Sequence, residues 1–99
     1  MCATRQWNYP RRMREGVVDT TRLRAVVYGR VQGVGFRFAV GRRMAALDLF
    51  GDAQNEADGT VTVRAEGTPD DVGKLVAWLR SGATPGEVAR VDVRLESVA

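Results

Sequence analysis

Three glycines punctuate the nine-residue string GRVQGVGFR, Gly29 to Arg37, which lies between a strand-like run and an amphipathic helical run. Glycine lets backbone N–H groups turn inward without Cβ clashes. The first turn of a helix leaves its own N–H groups unpaired and favours an anion there, and a guanidinium can take two oxygens of one oxyanion. The segment therefore reads as an anion cradle with Arg37 supplying the charge. Two nucleotide-binding alternatives fail on spacing. A GxxxxGK(S/T) loop would need glycine at Val34 and a following lysine, and GxGxxG begun at Gly33 fails at Phe38.

The flanking periodicities set the fold class. Leu23, Ala25 and Val27 alternate with Arg24, Val26 and Tyr28, which predicts a strand over 23–28. Phe36, Val40, Met44 and Leu47 recur at helical spacing with Arg42 and Arg43 off the stripe, so a helix with one buried face follows the glycine loop. Phe50 to Asn55 reads as a strand. After the Asp58-Gly59 turn, Val61, Val63 and Ala65 alternate with polar residues, which completes a hairpin. Thr68-Pro69-Asp70-Asp71 carries an N-cap, a proline in the first turn and two carboxylates facing the positive end of the helix dipole. Val72, Leu75, Val76 and Leu79 form the stripe of this second helix, and Gly82 fits its stop. Val91, Val93 and Leu95 then alternate with Arg90, Asp92, Arg94 and Glu96, a strand expected to turn those three apolar residues to the core. The order is βαββαβ, which predicts an α+β ferredoxin-like sandwich with two helices on one face of a four-stranded antiparallel sheet.

The 99 residues suit one small domain. The net charge of +3 divides unevenly. Arg5, Arg11, Arg12, Arg14 and Arg22 outweigh Glu15 and Asp19, while from Leu23 onward ten basic residues meet ten acidic ones. The first 21 residues, with Pro10 and no periodicity, are expected to form a flexible basic extension, and 22–99 the folded domain. A neutral domain lacks the broad footprint of a nucleic-acid binder, so no nucleic-acid partner is expected. No apolar run approaches the ~20 residues of a membrane span, and no hydrophobic stretch follows the N-terminal arginines, so a cytoplasmic, monomeric protein is expected. Cys2 is the only cysteine and histidine is absent. That removes intramolecular disulfides, common zinc sites and His-based catalysis.

GRVQGVGFR resembles the signature of the acylphosphatase family almost letter for letter, and Asn55 ahead of Asp58-Gly59 matches a second family element at the right distance. The resemblance runs from about Leu23 to Val98. It implies hydrolysis of a small acyl phosphate to carboxylate and inorganic phosphate, without metal or organic cofactor. In the family the arginine matching Arg37 binds phosphate, the asparagine matching Asn55 positions the attacking water, and N–H groups of the loop, here Gln32, Gly33, Val34, Gly35 and Phe36, hold phosphoryl oxygens. One departure stands out: where the family has a Trp-Val-basic run before its asparagine, this chain has Asp52, Ala53 and Gln54. A Val-to-Ala change in a core leaves a void worth about 1–3 kcal/mol unless the surroundings repack, so this departure bears on stability and on the placement of Asn55, while the cradle is untouched and activity is still expected.

Each feature alone has an ordinary structural reading. Glycine-rich connections are often tight turns, and Asn before a D-G turn is often turn chemistry. Their joint occurrence in βαββαβ order favours the functional reading. The side chains of Arg30 and Gln32 are read as solvated, Glu66, Asp70 and Asp71 as sheet surface and cap, and Trp78 as packing. The alternative function is a non-catalytic phosphate- or RNA-binding module, in which Trp7 and Tyr9 among arginines could stack on bases. A more distant one is carbamoyl-phosphate handling, since a similar domain begins the hydrogenase-maturation proteins.

Overall fold

A computed structural model describes residues 20–98. The element order is β1 (Thr20–Arg30), α1 (Phe36–Ala46), β2 (Phe50–Asn55), β3 (Val61–Gly67), α2 (Pro69–Leu79) and β4 (Glu87–Val98). The strands form one antiparallel sheet in the order β2-β3-β1-β4, the split βαβ arrangement that the alternating apolar patterns predict. The expected basic extension falls on residues 1–19, outside the described residues, and on Thr20 and Thr21, which open β1.

Both helices cover the same sheet face. Phe36, Val40 and Met44 of α1 and Val72, Leu75 and Leu79 of α2 pack on Leu23, Ala25, Val27, Val61, Val63 and Ala65, all buried. Period-2 alternation in β1 and β3 turns these apolar residues to the helices and Arg24, Arg64 and Glu66 away from them.

The edge strands depart from expectation. Leu95, expected in the core, is 60% exposed. Its β1 partner Leu23 is fully buried, but Leu95 sits on edge strand β4, where the helix layer leaves the distal half uncovered. Ala53, in place of the valine the family resemblance leads one to expect, is partly buried against the core and paired with Val63, so the small side chain lies at the margin of the packing rather than within it. β4 also begins at Glu87, before the Arg90–Glu96 run, because pairing with Gly29 and Arg30 continues beyond the stretch with legible alternation.

The two helix starts differ in their chemistry. At α2, Thr68 Oγ1 accepts a hydrogen bond from Asp71 N at 3.2 Å and donates one to Asp71 Oδ2 at 3.0 Å, with Pro69 in the first turn and Asp70 and Asp71 on the positive end of the dipole. At α1 the N-cap is Gly35 at φ 84°, no side chain caps the helix, and the first turn holds no acidic residue.

Candidate active site

The sheet register brings the two distant motifs to one edge. β1 and β2 are both antiparallel to β3 and so run parallel to each other, which puts their C-terminal ends on the same side. Val27 and Asn55 flank the same residue, Val61, so their backbones lie about 10 Å apart, two strand spacings. β1 then continues into the glycine loop, and β2 ends at Asn55 on the helix-facing side of the sheet.

The loop is anchored by its apolar residues and open at its amides. Val31 and Phe36 are each 1% exposed and clamp the loop's two ends into the core. Gly33 and Gly35 adopt φ 74° and 84°, a left-handed conformation that other residues rarely take. Ala39 N donates to Gly35 O at 3.0 Å, the first backbone bond of α1. Among the described residues the amides from Gly33 through Phe38 donate no other backbone hydrogen bond outside the regular ladders, so the loop and first helical turn leave an array of N–H donors unused. Arg37, at the second helical position, is exposed and makes no hydrogen bond or ion pair among the described residues. A cation there opposes the helix dipole, whereas an oxyanion would meet both the dipole and the guanidinium.

Gln32 corrects the reading of its side chain as solvated. It is part-buried, and Nε2 donates to Glu56 O at 2.8 Å and to Thr60 O at 2.9 Å. One amide thus ties the cradle to the hairpin residue that follows Asn55. Proximity of residues 24 and 28 positions apart leaves no trace in local periodicity, which is why sequence pattern missed this tie. Gln32→Ala keeps Arg37 and Asn55 but frees the hairpin, and kcat should fall on the order of tenfold with phosphate affinity little changed, since small misplacements are costly in a positioned reaction. Steady-state kinetics with phosphate inhibition checks this split.

The hairpin has its own lock. Asp58 Oδ1 accepts hydrogen bonds from Thr60 N at 3.0 Å and Thr60 Oγ1 at 2.6 Å, and the Thr60 hydroxyl and then its amide hold the Asp58 carboxyl below its ordinary range. A depressed carboxyl stabilises the fold above its unfolded pKa of ~3.9 and loses that contribution as pH falls through the folded value. Accordingly, the Tm difference between the wild type and Asp58→Ala should be full at pH 7 and shrink as the pH falls below the ordinary carboxyl range, as thermal melts across pH will register.

Asn55 is exposed at the strand end, with its backbone in register with Val61. Phe38, to which the sequence pattern assigns no role, is 71% exposed on the first turn of α1, with the Arg42 guanidinium 5.8 Å from its ring centre. Among the described residues no group of His, Cys, Asp or Glu could hold a metal ion, and no helix is long and apolar enough to cross a membrane.

Residues 23–98 match the family model described as Acylphosphatase. The chain is 46% identical over 77 residues to a protein named Acylphosphatase from Paenarthrobacter aurescens, covering 78% of this chain and 82% of that one. It is 49% identical over 73 residues to an Acylphosphatase from Mycolicibacterium smegmatis, covering 74% of each. The crystal structure of acylphosphatase from Bacillus subtilis superposes with a TM-score of 0.71 at 30% identity, over 77% of this chain and 84% of that one.

Proposed function

Because the chain belongs to the acylphosphatase family and is an acylphosphatase, we propose that it hydrolyses small acyl phosphates with Arg37 and the loop amides holding the phosphoryl group and Asn55 orienting water. The observation that carries this assignment is the contrast between the helix starts. α2 has a capping threonine and two carboxylates, whereas α1 has an uncapped glycine turn and, among the described residues, unused amides and an unpaired arginine. Such an arrangement is poor for an isolated helix and well suited to a phosphate.

In this reading the phosphoryl oxygens take hydrogen bonds from amides between Gln32 and Phe36 and a bidentate contact from Arg37. Phosphoryl transfer passes through a loose transition state with charge on the equatorial oxygens, so fixed donors and a cation do most of the catalytic work. The Asn55 amide can accept from and donate to a water without titrating, holding it in line with the acyl oxygen. Water oxygen bonds to phosphorus, the phosphorus–acyl oxygen bond breaks, and the carboxylate leaves with the bonding pair. The water's proton passes to a phosphoryl oxygen, giving dihydrogen phosphate. A carboxylate leaves without protonation, so the chemistry runs without histidine.

The direct test uses benzoyl phosphate and no added metal. Wild type should turn it over, and Asn55→Ala should lower kcat roughly 10²-fold while inorganic phosphate inhibits both proteins at similar concentrations, because Asn55 acts on the water and not on the phosphate. Equal kcat in the two proteins would remove Asn55 from the reaction.

A further inference from the structure

The sheet face turned away from the helices carries an arrangement that hydrolysis does not use. Arg24 on β1 stands opposite Arg64 on β3 and Arg94 on β4, so three arginines lie side by side in one row. All three are exposed, and among the described residues none has a hydrogen bond or ion pair. With strands about 4.8 Å apart the row spans about 10 Å. Like charges directly opposite each other destabilise a sheet, and the adjacent positions avoid this. Arg22 lies between Glu66 and Glu96, 2.8 Å and 3.6 Å from their carboxylates, and Asp92 is 3.1 Å from Arg90. Asp52, opposite Arg64 at the end of the row, makes no ion pair with it. Most carboxylates of this face are therefore engaged, while the three guanidiniums are not.

The row lines a concavity of about 880 Å³ that also takes in Phe50, an aromatic residue 45% exposed. We propose that this face binds single-stranded nucleic acid, with backbone phosphates laid along Arg64, Arg24 and Arg94 and a base stacked on Phe50. A linear row across the sheet matches a chain of monoanions better than one compact anion. Each guanidinium can take a phosphate through two hydrogen bonds, and an aromatic face accepts any base. The neutral charge of the domain argues against a broad footprint but leaves this local row intact, because its counter-charges are tied up elsewhere. Arg24 faces away from the helices while Leu23 and Ala25 face them, so this surface and Arg37 lie on opposite sides of the sheet.

Fluorescence anisotropy of a labelled oligo(dT), about 12 nucleotides long to span one single-strand site, with the full chain provides the test. Three phosphate contacts on a single strand give a slope of about −2 in log affinity against log salt, roughly a 20-fold loss between about 50 and 200 mM. Arg24→Gln should flatten the slope by about 0.7, and Phe50→Ala should weaken binding at unchanged slope. Both variants should hydrolyse benzoyl phosphate like wild type, and Arg37→Gln should bind the oligonucleotide normally. The proposal is overturned by absence of binding at about 50 mM salt, or by unchanged affinity in Arg24→Gln with Arg64→Gln. It is equally overturned if binding is lost only on replacing Arg11 and Arg12 by serine. Equal displacement by poly-glutamate at matched charge would also overturn it, by marking a surface that recognises negative charge in general.

Discussion

Arg37→Gln should lower kcat/KM for benzoyl phosphate by about 10²–10³-fold, the scale of about 3–4 kcal/mol seen when one donor to a developing oxyanion is removed. The same substitution should leave the protein slightly more stable. Arg37 is exposed, without a partner among the described residues, and sits at the second position of α1, where a positive charge opposes the dipole. Removing it is worth about 0.5 kcal/mol in favour of the fold. Loss of turnover together with a Tm equal to or above that of the wild type separates a binding cation from a structural one. A matched loss of stability and activity would instead mean that the guanidinium supports the loop.

Gly86→Ala should be strongly damaging although the position lies outside the core. Gly86 adopts φ 77°, and a Cβ there would collide with Arg30 O and lie 2.9 Å from Val34 Cγ2. The first contact is backbone and cannot rotate away. Left-handed strain of about 1–2 kcal/mol and an overpacking cost of about 1–3 kcal/mol together lower Tm by more than about 10 °C in a domain of this size. Arg30 opens the cradle and Val34 belongs to it, so whatever folded protein remains should also turn over acyl phosphate poorly. Gly82→Ala supplies the control: Gly82 has φ 84°, and a Cβ there would meet nothing within 4 Å, so it should show the conformational strain alone and keep full kcat. Thermal melts and kinetics on the two alanine variants separate backbone strain from collision with Arg30.

Where the amino-acid pattern is explicit, the fold was legible. Thr68-Pro69-Asp70-Asp71 marks the start of α2 within one residue, and the alternation of Val61, Val63 and Ala65 identifies the central strand, because local chemistry and tertiary burial agree there. The edges were less legible. Leu95 has the right period and type for a core position, yet burial at an edge depends on how far the helices reach, which one strand's sequence does not encode. The extension of β4 back to Glu87 likewise follows from its partner strand, not from its own residues. At the candidate site, Arg37 and the glycines stand out through spacing and type. The Gln32 tie to Glu56 and Thr60, the close backbone approach at Gly86 and the arginine row on the open sheet face are products of folding, joining residues that are remote in the chain. Glutamine in a polar loop looks solvated until the hairpin carbonyls arrive beside it.

Whether the two motifs converge on one phosphoryl site can be read from the backbone and side-chain amide resonances of the ¹⁵N-labelled full chain during titration with inorganic phosphate. The amides from Gln32 to Phe36 and the Asn55 side-chain amide should move together along one binding curve, and this response should be lost in Arg37→Gln. Phosphate shifts that spare Asn55, or that persist unchanged without the Arg37 guanidinium, would contradict that convergence.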